Sequence, residues 1–165
     1  MKSKVYDVRF RRKSEGKTDY KKRLTLLQGD MPRLVIRNSL KNICLQIIKY
    51  EATSDKVLIA ASSKELEKFG WSKSKLNIPA AYLTGFLLGH KSKKLKITKI
   101  IVDFGLTAFF KGGRLSAALK GCIDGGLNVI CDQKIFPTED RIKGKHIENM
   151  TPIFEDTKKK IEGEK

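Results

Sequence analysis

The chain has little of what metal centres and covalent chemistry need. Its 165 residues hold three cysteines and two histidines, with no CxxC pair, so Cys44, Cys122 and Cys131 beside His90 and His146 offer no structural zinc site. Reduced thiols packed as small hydrophobes are the expectation for all three cysteines. Ser, His and Cys form no recognisable nucleophile elbow, and both histidines stand in highly charged stretches. No apolar run approaches the length of a bilayer span, and the first ten residues lack the continuous apolar stretch of a secretory signal. No cofactor and no metal are expected, and a cytoplasmic location is. There is no internal repeat.

Acid is also scarce. Against 35 Lys and Arg stand 18 Asp and Glu, a formal charge of +17 that calls for a polyanionic partner. Nucleic acid is the first candidate and an anionic membrane surface its rival. With 40% hydrophobic residues the chain has enough core-formers for one compact domain plus tails, and not for two.

The positive charge is unevenly placed. Residues 1–31 hold ten Lys or Arg against four acids and form a basic arm. Its first half, to Gly16, has isolated apolar residues Val5, Val8 and Phe10 without helical spacing, as expected of a segment that extends along a partner. From Thr18, an N-cap type, Tyr20, Leu24 and Leu27 share one helical face, and Gly29 offers a stop. A short helix with that face packed is expected.

Three β-rich runs follow Pro32: Arg33 to Arg37, Ile43 to Tyr50 and Val57 to Ala61, separated by Asn38, Ser39 and Asn42, then Thr53, Ser54 and Asp55. Links this short predict an antiparallel meander. Ile43, Leu45 and Ile47 make one face of the second run wholly apolar, whereas Cys44, Gln46 and Ile48 leave the other mixed and partly open. Ser62 and Glu65 resemble a capping box starting a helical turn through Phe69. A longer helix begins near Pro79 and runs to about Gly89. Lys99 to Phe104 reads as a strand covered on both faces. Leu115, Ala118, Leu119, Cys122 and Ile123 predict a helix from Arg114 that Gly125 and Gly126 end. A last short strand is expected over Val129 to Cys131.

These elements predict an α/β fold. A single core domain (32–143) would carry a mixed sheet, an antiparallel βββ meander followed by α-β-α, with helices on one face. The basic arm (1–31) precedes it, and a charged extension (144–165) with five acids and five lysines is expected to dock loosely behind it.

Three groups of residues could act. Arg9, Arg11, Arg12, Lys13, Lys17, Lys21, Lys22 and Arg23 place several cations on a segment able to follow a phosphate backbone, with Phe10 and Tyr20 as rings that could stack on unpaired bases or anchor the arm. Arg37, Asn38, Ser39, Lys41 and Asn42 join two strands with donors that reach phosphates and 2′-hydroxyls; Asn and Ser there also suit a bare turn, and spacing does not choose. Lys111 and Arg114 flank two glycines at a helix start, without the Gly-Lys-Ser/Thr ending of a P-loop. An enzyme reading would need Asp103, Asp124 and Asp132 to gather round magnesium as a nuclease site.

Several segments in order carry a longer resemblance: RRKSEGKTDYKKRLTLL, PRLVIRNSLKNICLQII, GW followed by NIPAAYLTGFLLG, and GGRLSAALKGCIDGGL. Together they resemble the eighteenth large-subunit ribosomal protein family in its archaeal form, which has a eukaryotic relative named as the fifth large-subunit protein. The similarity runs to about His146. It implies a structural component of the ribosome that binds 5S rRNA and helps attach it to large-subunit rRNA at the central protuberance, among neighbouring ribosomal proteins. No catalysis, small-molecule substrate or membrane is implied. The family's RNA-contacting features carry over onto Arg9, Arg11, Arg12, Lys13, Lys17, Thr18, Tyr20 and Arg23 of the arm. On the strand pair they fall on Arg33, Arg37, Asn38, Lys41 and Asn42.

Overall fold

A computed structural model describes residues 8–52, 54–93, 97 and 99–163. The first arm residues, Val5 among them, and Thr53 of the second turn lie outside the described residues. In the arm, α1 (Arg11–Ser14) and α2 (Tyr20–Leu27) precede the sheet. The meander is built as its alternation predicts, from β1 (Arg33–Asn38), β2 (Ile43–Tyr50) and β3 (Asp55–Ser62). Both pairings are antiparallel, with a bulge in the β2–β3 ladder between Ile47 and Ile48. A short β4 (Ile101–Asp103) joins the far side of β1 in parallel, with Arg33 opposite Ile101, so the strand order is β3-β2-β1-β4.

Strand alternation gives this sheet two unlike faces. Leu34 and Ile36 of β1 and Ile43, Leu45 and Ile47 of β2 lie in one buried cluster with the helices α3 (Ile78–Ser92) and α4 (Arg114–Asp124). The other face carries Arg33, Val35 and Arg37, then Cys44, Gln46 and Ile48. The mixed α/β architecture with helices over one face is the predicted one. Between β3 and α3, the Ser62 N–H donates to Glu65 Oε1 (2.9 Å), the carboxylate half of a capping box, and a 3-10 turn runs over Glu65–Phe69.

Helix α3 is apolar all round because it is covered all round: the sheet lies on one side, α4 on another and the C-terminal helices on a third. Its contact with α4 is backbone against backbone. A Cβ built on Gly85 would stand 2.0 Å from the Ala118 carbonyl oxygen, and one on Gly121 would stand 2.0 Å from the Tyr82 oxygen. Tyr82 also reaches across, its hydroxyl donating to Asp124 (2.8 Å); burial, with this bond second, pushes the phenol well above its ordinary pKa.

Four expectations fail. The arm is helical at Arg11–Ser14 rather than extended, with the Lys13 and Ser14 N–H groups donating to the Phe10 carbonyl (2.9 and 3.0 Å). β4 spans three half-buried residues rather than a doubly covered run, because it lies at the sheet's edge. Residues 129–131 form no strand: a groove of about 450 Å³ lies between Asn128, Val129, Ile130 and the β4 segment, so no ladder closes. The tail is not loose. After α5 (Glu139–Lys143), α6 (Met150–Glu162) buries Met150, Phe154, Thr157 and Ile161, a helical face that a balance of charges conceals, and it packs on α3.

All three cysteines are free; Cys122 is fully buried, and burial pushes its thiol far above the ordinary range. Gly121→Ala is expected to force α3 and α4 apart and to lower stability by about 3 kcal/mol, at the upper end of overpacking costs. Urea unfolding of the variant against the natural chain measures it, and an unchanged midpoint would contradict the backbone contact.

Candidate nucleic-acid interface

The sheet face turned away from α3 and α4 is where the arm sits. Helix α2 starts at Asp19, not Thr18: the Asp19 carboxylate accepts from the Lys21 and Lys22 N–H groups (3.0 and 3.1 Å). Thr18 is engaged instead by Arg12, whose Nε–H donates to its hydroxyl (2.9 Å). The inner face of α2 is Asp19, Lys22, Arg23 and Leu26, which line one cleft with Arg33, Val35, Arg37 and Ile48 of the sheet. Leu24, expected to pack, is 62% exposed. Tyr20 and Leu27 of the expected face are half-buried as predicted, and Arg23 and Leu26 are half-buried with them, so Leu24 alone departs from that face.

An ion-pair chain ties the helix to the sheet at Arg23. Arg23 Nη2 donates to Asp55 Oδ2 (2.8 Å), and Arg33 Nη2 lies 3.0 Å from that same oxygen without hydrogen-bond alignment. Arg33 Nη1 donates to Asp103 Oδ2 (3.3 Å). Two cations and two carboxylates balance, which is the condition under which a guanidinium as enclosed as that of Arg33, 4% exposed, is tolerated. A second tie joins the Lys22 ammonium to the Gly105 carbonyl (3.0 Å). At the arm's outer end Phe10 and Tyr20 pack with ring centroids 5.0 Å apart, so Tyr20 is an anchor.

The predicted site residues therefore divide. Arg9, Arg11, Arg12, Lys13, Lys17 and Lys21 are exposed on the arm; Glu15 pairs with Arg11 (3.7 Å) and Lys17 (2.9 Å) at the surface, where such pairs hold weakly. Arg37 and Lys41 are exposed at the β1–β2 turn, with Asn38 and Asn42 half-buried. The Ser39 hydroxyl donates to the Asn42 carbonyl (3.0 Å) and accepts from its N–H (3.1 Å), so it builds the turn. Arg33 is enclosed and Arg23 half-buried; both hold the arm to the sheet. Lys111 and Arg114 stand apart, on and after the loop that follows β4.

The structure gives the three acids of the nuclease alternative separate partners. Asp103 holds Arg33 and accepts from the Gly105 N–H (2.8 Å), Asp124 binds Tyr82 and Lys120, and Asp132 accepts from the Lys134 N–H (2.9 Å). Among the described residues no three His, Cys, Asp or Glu side chains converge as a metal site would require. No helix among them is long and apolar enough to cross a membrane. Sequence reasoning missed Asp55 as the arm's partner and the exposed Leu40 at the turn's tip, and it counted Lys22 among the phosphate contacts where the structure shows a second tie. The signal for Lys22 was present: Asp19, Lys22, Arg23 and Leu26 follow i, i+3, i+4 and i+7.

Comparison with known proteins identifies the family. A family described as "Ribosomal large subunit proteins 60S L5, and 50S L18" matches residues 4–100, which include the arm, all three meander strands and α3. The chain belongs to this family. It is 47% identical over 151 residues to the large ribosomal subunit protein uL18 of Korarchaeum cryptofilum, covering 92% of this chain and 77% of that one. With the uL18 of Methanoregula boonei it shares 44% over 157 residues, 95% of this chain and 90% of the other. It is a large-subunit ribosomal protein, a structural constituent of that subunit.

Removing Asp55 would leave Arg33 enclosed with one carboxylate and Arg23 with none. Asp55→Ala is expected to cost about 3 kcal/mol in unfolding free energy, at the low end for a broken buried pair because Asp103 remains. Amide exchange should quicken across α2 in the same variant; protection equal to that of the natural chain would show that the ion pairs do not hold the arm.

Proposed function

We propose that the protein binds 5S rRNA and helps attach it to large-subunit rRNA at the central protuberance, in cytoplasmic ribosomes. The observation that carries the reading is the row of exposed cations on an arm docked over the open sheet face, beside the turn that presents Arg37 and Lys41. Arg9, Arg11, Arg12, Lys13, Lys17 and Lys21 supply phosphate contacts, with Thr18 and Tyr20 setting the arm's shape beneath them. Asn38 and Asn42 add donors at the turn, and Arg23 and Arg33 act from within by holding the arm in place. Family membership supports the same partner, and the other contacts of the protein are neighbouring large-subunit proteins.

Phosphates position such an interface, and folded RNA shape supplies most of its selectivity. The protein is therefore expected to bind 5S rRNA more tightly than a scrambled RNA of equal length; equal affinities would refute the reading. Raising salt from 50 to 200 mM should weaken binding by roughly a thousandfold if about six phosphates are neutralised. Reversal of charge at Arg12 and Lys17 should reduce both the affinity and its salt slope, measured by filter binding.

A further inference from the structure

A second cationic opening lies away from the arm, at the end of the sheet where β1 and β4 both finish. The loop after β4 is fixed at several points. Phe109 packs on Phe104 with centroids 4.8 Å apart, the Thr107 N–H donates to the Phe104 carbonyl (3.2 Å), and the Gly112 N–H donates to the Ile135 carbonyl (2.9 Å). With Phe109 turned inward, its neighbour Phe110 is held outward, 71% exposed. An exposed ring on a tethered loop is not accounted for by the core.

Phe110 forms one wall of a cleft of about 450 Å³ whose other walls include Asn77, Pro79, Arg114, Arg141 and His146. Among the described residues no carboxylate lines it. The acids of α5 point elsewhere: Glu139 lines a separate hollow with Tyr82 and Lys120, and Asp140 pairs with Lys145 (2.5 Å). Among the described residues neither Arg114 nor Arg141 has a carboxylate within 4.0 Å, although pairs are frequent elsewhere on the surface. The cleft is thus a built arrangement of one outward ring, two unpaired guanidinium groups and an imidazole. Its size lies within the roughly 300–1,000 Å³ of ordinary ligand pockets.

We propose that this cleft is a second RNA-binding site, distinct from the arm, which takes an unpaired segment of large-subunit rRNA. A base stacks on Phe110, and the adjoining phosphates lie against Arg114, Arg141 and His146. The combination of an exposed aromatic face with cations free of acid is the one that single-stranded nucleic acid uses, since every base has a π-face and every linkage a charge. The proposal rests on the RNA reading above and deepens it: the arm and turn hold one RNA, and the cleft holds the other. Asn38, which shares a smaller hollow with Phe110 and Arg114, marks where the two surfaces meet.

The test titrates two RNAs separately against the full chain, with tRNA as competitor: 5S rRNA and protein-free large-subunit rRNA. Phe110→Ala and Arg141→Ala change exposed side chains, and thermal melts check that both variants fold. Each is expected to weaken binding of large-subunit rRNA about tenfold, as for loss of one stacked base, and to leave 5S rRNA affinity within about twofold. Cross-linking with 4-thiouridine-labelled large-subunit rRNA should mark the peptide that contains Phe110. Undiminished large-subunit rRNA binding in both variants, or cross-links confined to the arm and the β1–β2 turn, would overturn the proposal. If the natural chain fails to prefer 5S rRNA while the cleft variants still lose large-subunit rRNA, the 5S reading falls and the cleft stands.

Discussion

The enclosed Arg33 side chain is the point through which the arm, the meander and the edge strand are joined. A guanidinium withdrawn from water must be met by opposite charge, and here Asp55 at the start of β3 and Asp103 at the end of β4 meet it from two sides. Asp55 then has an oxygen to share with Arg23, and α2 is drawn down onto the sheet by that bond. Direction follows from this. Arg23 faces inward, and Lys21 and the cations of α1 face solvent.

A mobile basic tail can bind any polyanion, whereas a docked one presents its charges at set distances. Holding the arm before RNA arrives lowers the ordering entropy that binding would otherwise cost, and it favours an RNA whose phosphates match. The sheet face under the arm contributes little free charge beyond Arg37. Its part is to supply a rigid floor, and that floor is rigid because the opposite face is filled by α3 and α4, pressed together at Gly85 and Gly121.

The C-terminal segments extend the same logic to the other end of the domain. Helix α6 buries Phe154 and Ile161 on the side of α3 that neither the sheet nor α4 covers. The chain that leads to it carries Arg141 and His146 to the mouth of the loop after β4. Thus a segment whose net charge is zero still brings cations to one chosen place.

Much of the fold was legible locally. The alternation of Ile43, Leu45 and Ile47 determined a two-faced strand, the turn residues between the runs determined a meander, and the spacing from Leu115 to Ile123 determined α4. The positive excess and its position in residues 1–31 determined that an acidic partner is needed. What only the tertiary structure decided is which side of α2 faces the sheet, that Arg33 is internal, that Asp103 holds a guanidinium rather than a metal, and that Phe110 and Arg141 share a cleft. The physical reason is separation along the chain. Periodicity is a property of one segment, but the bonds from Arg23 to Asp55 and from Arg33 to Asp103 join residues 32 and 70 positions apart, and no local pattern records them.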